Sequence, residues 1–124
     1  MMYLAELRSR TEPIRVGVVG IGRMGRGVVD QVATMPGMRV MAAADVEIGR
    51  AEACLRENGA DPLVTDELGP AQDALRSGRP VATADAGLVP QLELDALVEA
   101  TGLPEVGARV AADAMTLAIA VKGG

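Results

Sequence analysis

The 124-residue sequence predicts an α/β fold, a parallel sheet with helices on both faces, and three observations carry that prediction. An apolar, β-branched run from Ile14 to Val19 enters a turn, Gly20-x-Gly22-x-x-Gly25, and a helical pattern opens immediately behind it. Strand-length apolar runs then alternate with segments of helical period, the pattern of βαβ crossovers. Met38 to Ala44 is apolar except at Arg39, as expected of a strand covered on both faces.

The elements follow in order. Tyr3, Leu4 and Leu7 share one face of a short N-terminal helix, an arm over residues 1–12 that Thr11-Glu12-Pro13 separates from the first strand. The arm reads as a docked or frayed end; its alternative role is a contact with a second subunit, making a homo-oligomer, or with a second domain. After the glycine turn, Met24, Val28, Val29, Val32 and Ala33 form a helix face, and Pro36-Gly37 ends that helix. The second strand, Met38 to Ala44, closes at Asp45, and Ile48, Ala51 and Leu55 follow at helical spacing up to the Asn58-Gly59 stop. Leu63-Val64 adds a short extended piece. Thr65 or Asp66 caps a helix carrying Leu68, Ala71 and Leu75, which Gly78 terminates. Pro80 to Ala84 is the third strand, Leu88, Val89 and Leu92 mark a short helix limited by Pro90, and Asp95 to Ala100 is the fourth strand. Leu103-Pro104 opens a helix with Val106, Val110, Ala111, Ala114 and Leu117 on one face.

Right-handed crossovers put these strands in the order third, second, first, fourth, a Rossmann-type sheet. It reads as truncated after the fourth or fifth strand. Without a fifth strand, the outer side of Ala96 to Ala100 is a bare edge.

Composition narrows the function classes. The chain has no His and one Cys, which leaves no zinc cluster, Ser-His-Asp triad or intrachain disulfide, so no metal site is expected. Cys54 lies beside a helix stripe and reads as a small packing residue. A net charge of -5 without a basic run argues against nucleic acid. No stretch has the length of a membrane span or a signal-peptide core, so a soluble, cytoplasmic protein is expected, with no membrane partner.

The glycine turn is the candidate site. Gly20 makes the tight turn, Gly22 lets backbone N–H groups approach phosphate, and Gly25 lets helix and strand pack closely. Asp45, twenty positions after Gly25, stands where an acidic residue accepts hydrogen bonds from an adenosine ribose. Its charge repels a 2′-phosphate, so of the NAD(P) cofactors NAD is favoured over NADP, although Arg23 or Arg50 could offset that repulsion. Asp45 can equally cap the following helix. Arg23 lies either along cofactor phosphates or in solvent, and Met24 reads as core. Thr83-Ala84-Asp85 and Glu99-Ala100-Thr101-Gly102 fall at the C-terminal ends of the third and fourth strands, the rim where such sheets bind ligands. For Glu99 and Thr101, loop hydrogen bonding and capping are the competing roles. No catalytic set can be assembled: histidine is absent and the single lysine is Lys122.

These blocks carry a family resemblance. Pro13 to Gly25, Ala42-Ala43-Ala44-Asp45, Gly78 to Thr83, and Val98-Glu99-Ala100-Thr101-Gly102 with Gly107-Ala108-Arg109 resemble the homoserine dehydrogenase-like oxidoreductases, which typically carry a C-terminal SAF domain. The likeness runs from the arm to about Ala114. The Gly-Arg-Met-Gly piece alone is also similar to dihydrodipicolinate reductases and to the glucose-fructose oxidoreductase group. The resemblance implies NAD(P)-dependent oxidoreduction of a small polar substrate, with Gly20, Gly22, Arg23, Met24, Gly25, Asp45, Thr101 and Gly102 near the cofactor. Such proteins continue into a Gly-Lys-His-Val-type strand and a catalytic domain, whereas this sequence reads Ala114-Met115-Thr116-Leu117-Ala118-Ile119-Ala120-Val121-Lys122-Gly123-Gly124. The expectation is therefore an NAD(P)-binding domain over residues 13–124, a fragment lacking the catalytic half. The alternative is a non-enzymatic nucleotide-binding or interaction module whose open strand edge docks a partner.

Overall fold

The computed structural model describes residues 12–100 and the strand at 118–121. Its elements are β1 (Ile14–Val19), α1 (Arg23–Ala33), β2 (Met38–Ala44), α2 (Ile48–Glu57), β3 (Leu63–Val64), α3 (Leu68–Arg76), β4 (Val81–Thr83), a 3-10 turn (Val89–Gln91), β5 (Ala96–Glu99) and β6 (Ala118–Val121). Of the arm expected over residues 1–12, residues 1–11 lie outside the described residues, as does the helix expected from Leu103.

The sheet order is β3-β4-β2-β1-β5-β6. The first five strands are parallel, so the predicted Rossmann-type α/β arrangement is the one found. The expected third-second-first-fourth order corresponds to β4-β2-β1-β5. One expectation is overturned. The outer side of β5 is not bare, because β6 pairs with it antiparallel, from Ala96 beside Val121 to Glu99 beside Ala118.

Each face of the sheet buries its own apolar layer. On one face, Val29 and Val32 of α1 and Ala51, Cys54 and Leu55 of α2 meet Ile14, Val16, Val18, Ala43 and Val98. On the other, Ala71, Ala74 and Leu75 of α3, with Leu88, Val89, Leu92 and Leu94, meet Val19, Met41, Ala42, Ala44 and Val81. Cys54 is fully buried, as its packing role requires, and burial pushes its thiol pKa up.

β1 and β2 pair regularly from Ile14 beside Met38 to Val16 beside Val40, and then the register shifts, so that Gly17 lies beside Ala42. Met41 is the extra residue of this bulge. Met41 and Ala42, adjacent in sequence, consequently both pack in the α3 layer, while Val40 and Ala43 pack in the other. Gly17 faces the α3 side of β1, where a Cβ would come within 2.7 Å of Leu94 Cδ1 and Val89 Cγ1. The absent side chain lets the segment carrying the 3-10 turn lie directly on the sheet.

Two helix details differ from the sequence reading. Met24 is 39% exposed and Ala33 is also exposed; α1 instead turns Gly25, Val29 and Val32 inward. The N-cap of α3 is Glu67 without a side-chain cap, because Thr65 and Asp66 bond elsewhere.

Candidate functional site

The C-terminal ends of β1, β2, β4 and β5 surround a cleft of about 270 Å³. Val19, Gly20 and Gly22 border it from the glycine turn, Ala44, Asp45 and Val46 from the end of β2, and Arg50 from α2. Ala84 and Ala86 border it beyond β4, and Ala100 beyond β5. In open α/β sheets this rim is where ligands bind.

The turn is shaped by its three glycines. Gly20 has φ of 92°, a left-handed conformation that a side chain disfavours. Its N–H donates to the Ala44 carbonyl at 2.7 Å, fixing the turn to the end of β2. A Cβ on Gly25 would fall onto the Gly20 carbonyl oxygen, so α1 crosses the turn at backbone contact. A Cβ on Gly22 would meet nothing within 4 Å. Gly22 is the N-cap of α1, with no side-chain cap and no acidic residue in the first turn. An eleven-residue helix therefore presents the positive end of its dipole beside the cleft.

Asp45 faces this turn from the end of β2. Its Oδ2 accepts the Ile21 N–H at 2.8 Å and its Oδ1 accepts the Glu47 N–H at 2.8 Å. The expected helix cap is only partly realised, because the N-cap of α2 is Glu47 rather than Asp45. Asp45 also donates its own N–H to the Thr83 carbonyl at 3.1 Å, which joins the tip of β2 to β4. Arg50, on the same rim, is paired with Glu47, Nε to Oε2 at 2.6 Å.

The far wall is held by a carboxylate that the sequence reading assigned to helix capping. Asp66 Oδ1 accepts from the fully buried Thr83 hydroxyl at 2.6 Å and from the Ala84 N–H at 2.8 Å. The Thr83 hydroxyl hydrogen bond, and after it the Ala84 N–H, hold the Asp66 pKa below its ordinary value. The Asp85 N–H donates to Thr83 Oγ1 at 3.1 Å, completing the loop that carries Ala84 and Ala86.

The structure thus brings Gly20, Gly22, Asp45 and Ala100 together around one cleft, with Gly25 packed beneath the turn. Arg23 and Met24 lie in the exposed first turn of α1. Glu99 stands at the end of β5 but is buried, 4% exposed, and does not border the cleft. Thr101 and Gly102 lie outside the described residues. Sequence reasoning missed Val46 and Ala86 as rim residues. Val46 is 90% exposed, and an apolar side chain directly after the strand-end acid was the signal that could have found it.

Fold and rim together define a Rossmann-like α/β protein. No protein-family model matches the chain. Glycosyl hydrolase family 109 protein 5 of Phocaeicola vulgatus is 42% identical over 45 residues, which are 36% of this chain and 9% of that protein. Glycosyl hydrolase family 109 protein 4 of the same organism matches with the same identity and coverage. The similarity thus spans about a tenth of the length of these curated relatives. Among the described residues, no helix is long and apolar enough to cross a membrane.

Proposed function

We propose that this chain binds a nicotinamide dinucleotide across the cleft and forms the NAD(P)-binding part of an oxidoreductase similar to the homoserine dehydrogenase-like proteins. The observation that carries the reading is the glycine turn itself. Open space at Gly22, backbone contact at Gly25 and an uncapped helix N-terminus are what a pyrophosphate requires, and Asp45 borders the same cleft, bonded to the turn at Ile21. When bound, the cofactor supplies a hydride acceptor or donor. The chain's own residues bind and orient it. Gly20, Gly22 and the first turn of α1, with Arg23 and Met24, take the phosphates, and Asp45 takes the adenosine ribose hydroxyls. Ala100, which borders the cleft beyond β5, is assigned to the nicotinamide side, and Glu99, Thr101 and Gly102, its neighbours in sequence, are the candidate residues around it.

NAD is the better fit than NADP. The two Asp45 oxygens each accept one backbone N–H and keep lone pairs for ribose hydroxyls, while their charge opposes a 2′-phosphate. Arg50, the nearby cation on the rim, is already engaged by Glu47. The 45-residue similarity to family 109 proteins is consistent with a shared nucleotide-binding segment and leaves the substrate to regions outside the match. The catalytic partner region, a small polar substrate and the domain extent of residues 13–124 belong to the same proposal. The interaction-module reading loses its main support, because β6 covers the edge on which a partner was to dock.

Calorimetric titration with NAD, NADH and NADPH tests the reading. Binding is expected for NAD and NADH, weaker binding for NADPH, and none after Gly22→Asp, which places a carboxylate where the phosphates go. A folded protein that binds none of the three at millimolar concentration refutes it.

A further inference from the structure

Asp45 does more in this structure than await a ribose. Its Oδ2 reaches twenty-four residues back to the Ile21 N–H, at the middle of the Gly20-Ile21-Gly22 turn. Ile21 is 2% exposed, and without Asp45 its N–H, in the middle of the turn, would lose this acceptor. The other oxygen holds Glu47, and the backbone of Asp45 is itself tied to Thr83. The carboxylate is thus held by two backbone N–H groups and the residue's own backbone by a third bond, and the side chain ties down the turn in return.

We infer that Asp45 is a positioning residue for the phosphate-binding turn as well as a ribose acceptor, so that pyrophosphate binding and cofactor choice are coupled through one carboxylate. The inference rests on the dinucleotide reading for its ligand. Its structural half stands on the Asp45–Ile21 hydrogen bond alone. A consequence is that replacing Asp45 with a small neutral residue, which should make room for a 2′-phosphate, also removes the acceptor that shapes the turn. Such a change weakens every dinucleotide instead of switching preference to NADP.

Amide hydrogen exchange and nucleotide binding on the 124-residue protein separate the two halves. In Asp45→Ala, the ligand-free Ile21 amide is expected to exchange about tenfold faster or more, with core amides such as Val29 unchanged. Asp45→Asn keeps an acceptor oxygen and is expected to restore most of the protection. The binding probes are ADP and its 2′,3′-dideoxy analogue, which lacks the hydroxyls a ribose acceptor would touch. Asp45→Ala should weaken both, and Asp45→Asn should recover the dideoxy analogue. Unchanged Ile21 exchange in Asp45→Ala overturns the inference, as does loss of ADP binding with the dideoxy analogue unaffected. If Asp45→Ala does not fold, a folded Asp45→Asn protein with an unprotected Ile21 amide overturns it equally. Failure of the wild-type protein to bind ADP would refute the nucleotide reading, and Ile21 exchange would still decide the structural half.

Discussion

Gly25 has the least room for change of any residue around the turn. A methyl group there would occupy the position of the Gly20 carbonyl oxygen, which is backbone and cannot move without opening the turn. Gly25→Ala is expected to destabilise the protein by about 1–3 kcal/mol or more and to abolish NAD binding, read by thermal unfolding and by titration. The tight turn at Gly20 and the close packing at Gly25 were legible in the sequence because each is set by local geometry around one turn. Met24 was misread for a related reason. The inward positions of α1 are Gly25, Val29 and Val32, at helical spacing, but a glycine has no apolar signal, so a hydrophobic pattern selects its neighbour. Asp45 was legible as the acid closing β2 at the cleft; its bond to Ile21 was not, since nothing in a linear sequence says which N–H a strand-end carboxylate will meet.

At the scale of elements, the loop after β4 depends on a single exposed carboxylate. Asp66 is ionised at neutral pH and is held there by the Thr83 hydroxyl and the Ala84 N–H. Because its folded pKa is depressed, its contribution to stability is fully present above its ordinary value of 3.8 and is lost as pH falls through the lower folded value. The difference in unfolding midpoint between wild type and Asp66→Ala should therefore be constant near neutral pH and close in the acid range below 3.8. A difference that persists unchanged into that range would show that the tie does not require the carboxylate. Parallel strands and their helices were readable from the sequence because short apolar runs alternate with segments of helical period. Two features were not. Asp66 bonds a threonine seventeen residues away, and β6 finds β5 from a distant part of the chain, so its Ala-Ile-Ala-Val was given no element in the sequence reading.

For the molecule as a whole, the sheet must keep its two faces in phase from the lower edge to the cleft. Met38 to Ala44 is apolar throughout except at Arg39, so its sequence has no alternation from which a bulge could be read. Only the pairing with β1 reveals that Met41 is supernumerary. Removing it would join Val40 to Ala42 in regular register, with Ala42, Ala43 and Ala44 keeping both their partners on β1 and their faces. A one-residue deletion in a central strand ordinarily turns everything beyond it over. Here the loss should be confined to the buried Met41 side chain, about 2–5 kcal/mol by comparison with emptied core sites. Denaturation would read that loss, and retained NAD binding would show Asp45 still aimed at the turn; loss of binding in a folded deletion protein would refute it. The bulge thus acts as a slack link in the chain, able to lose one residue below the site without turning the cleft-facing rim.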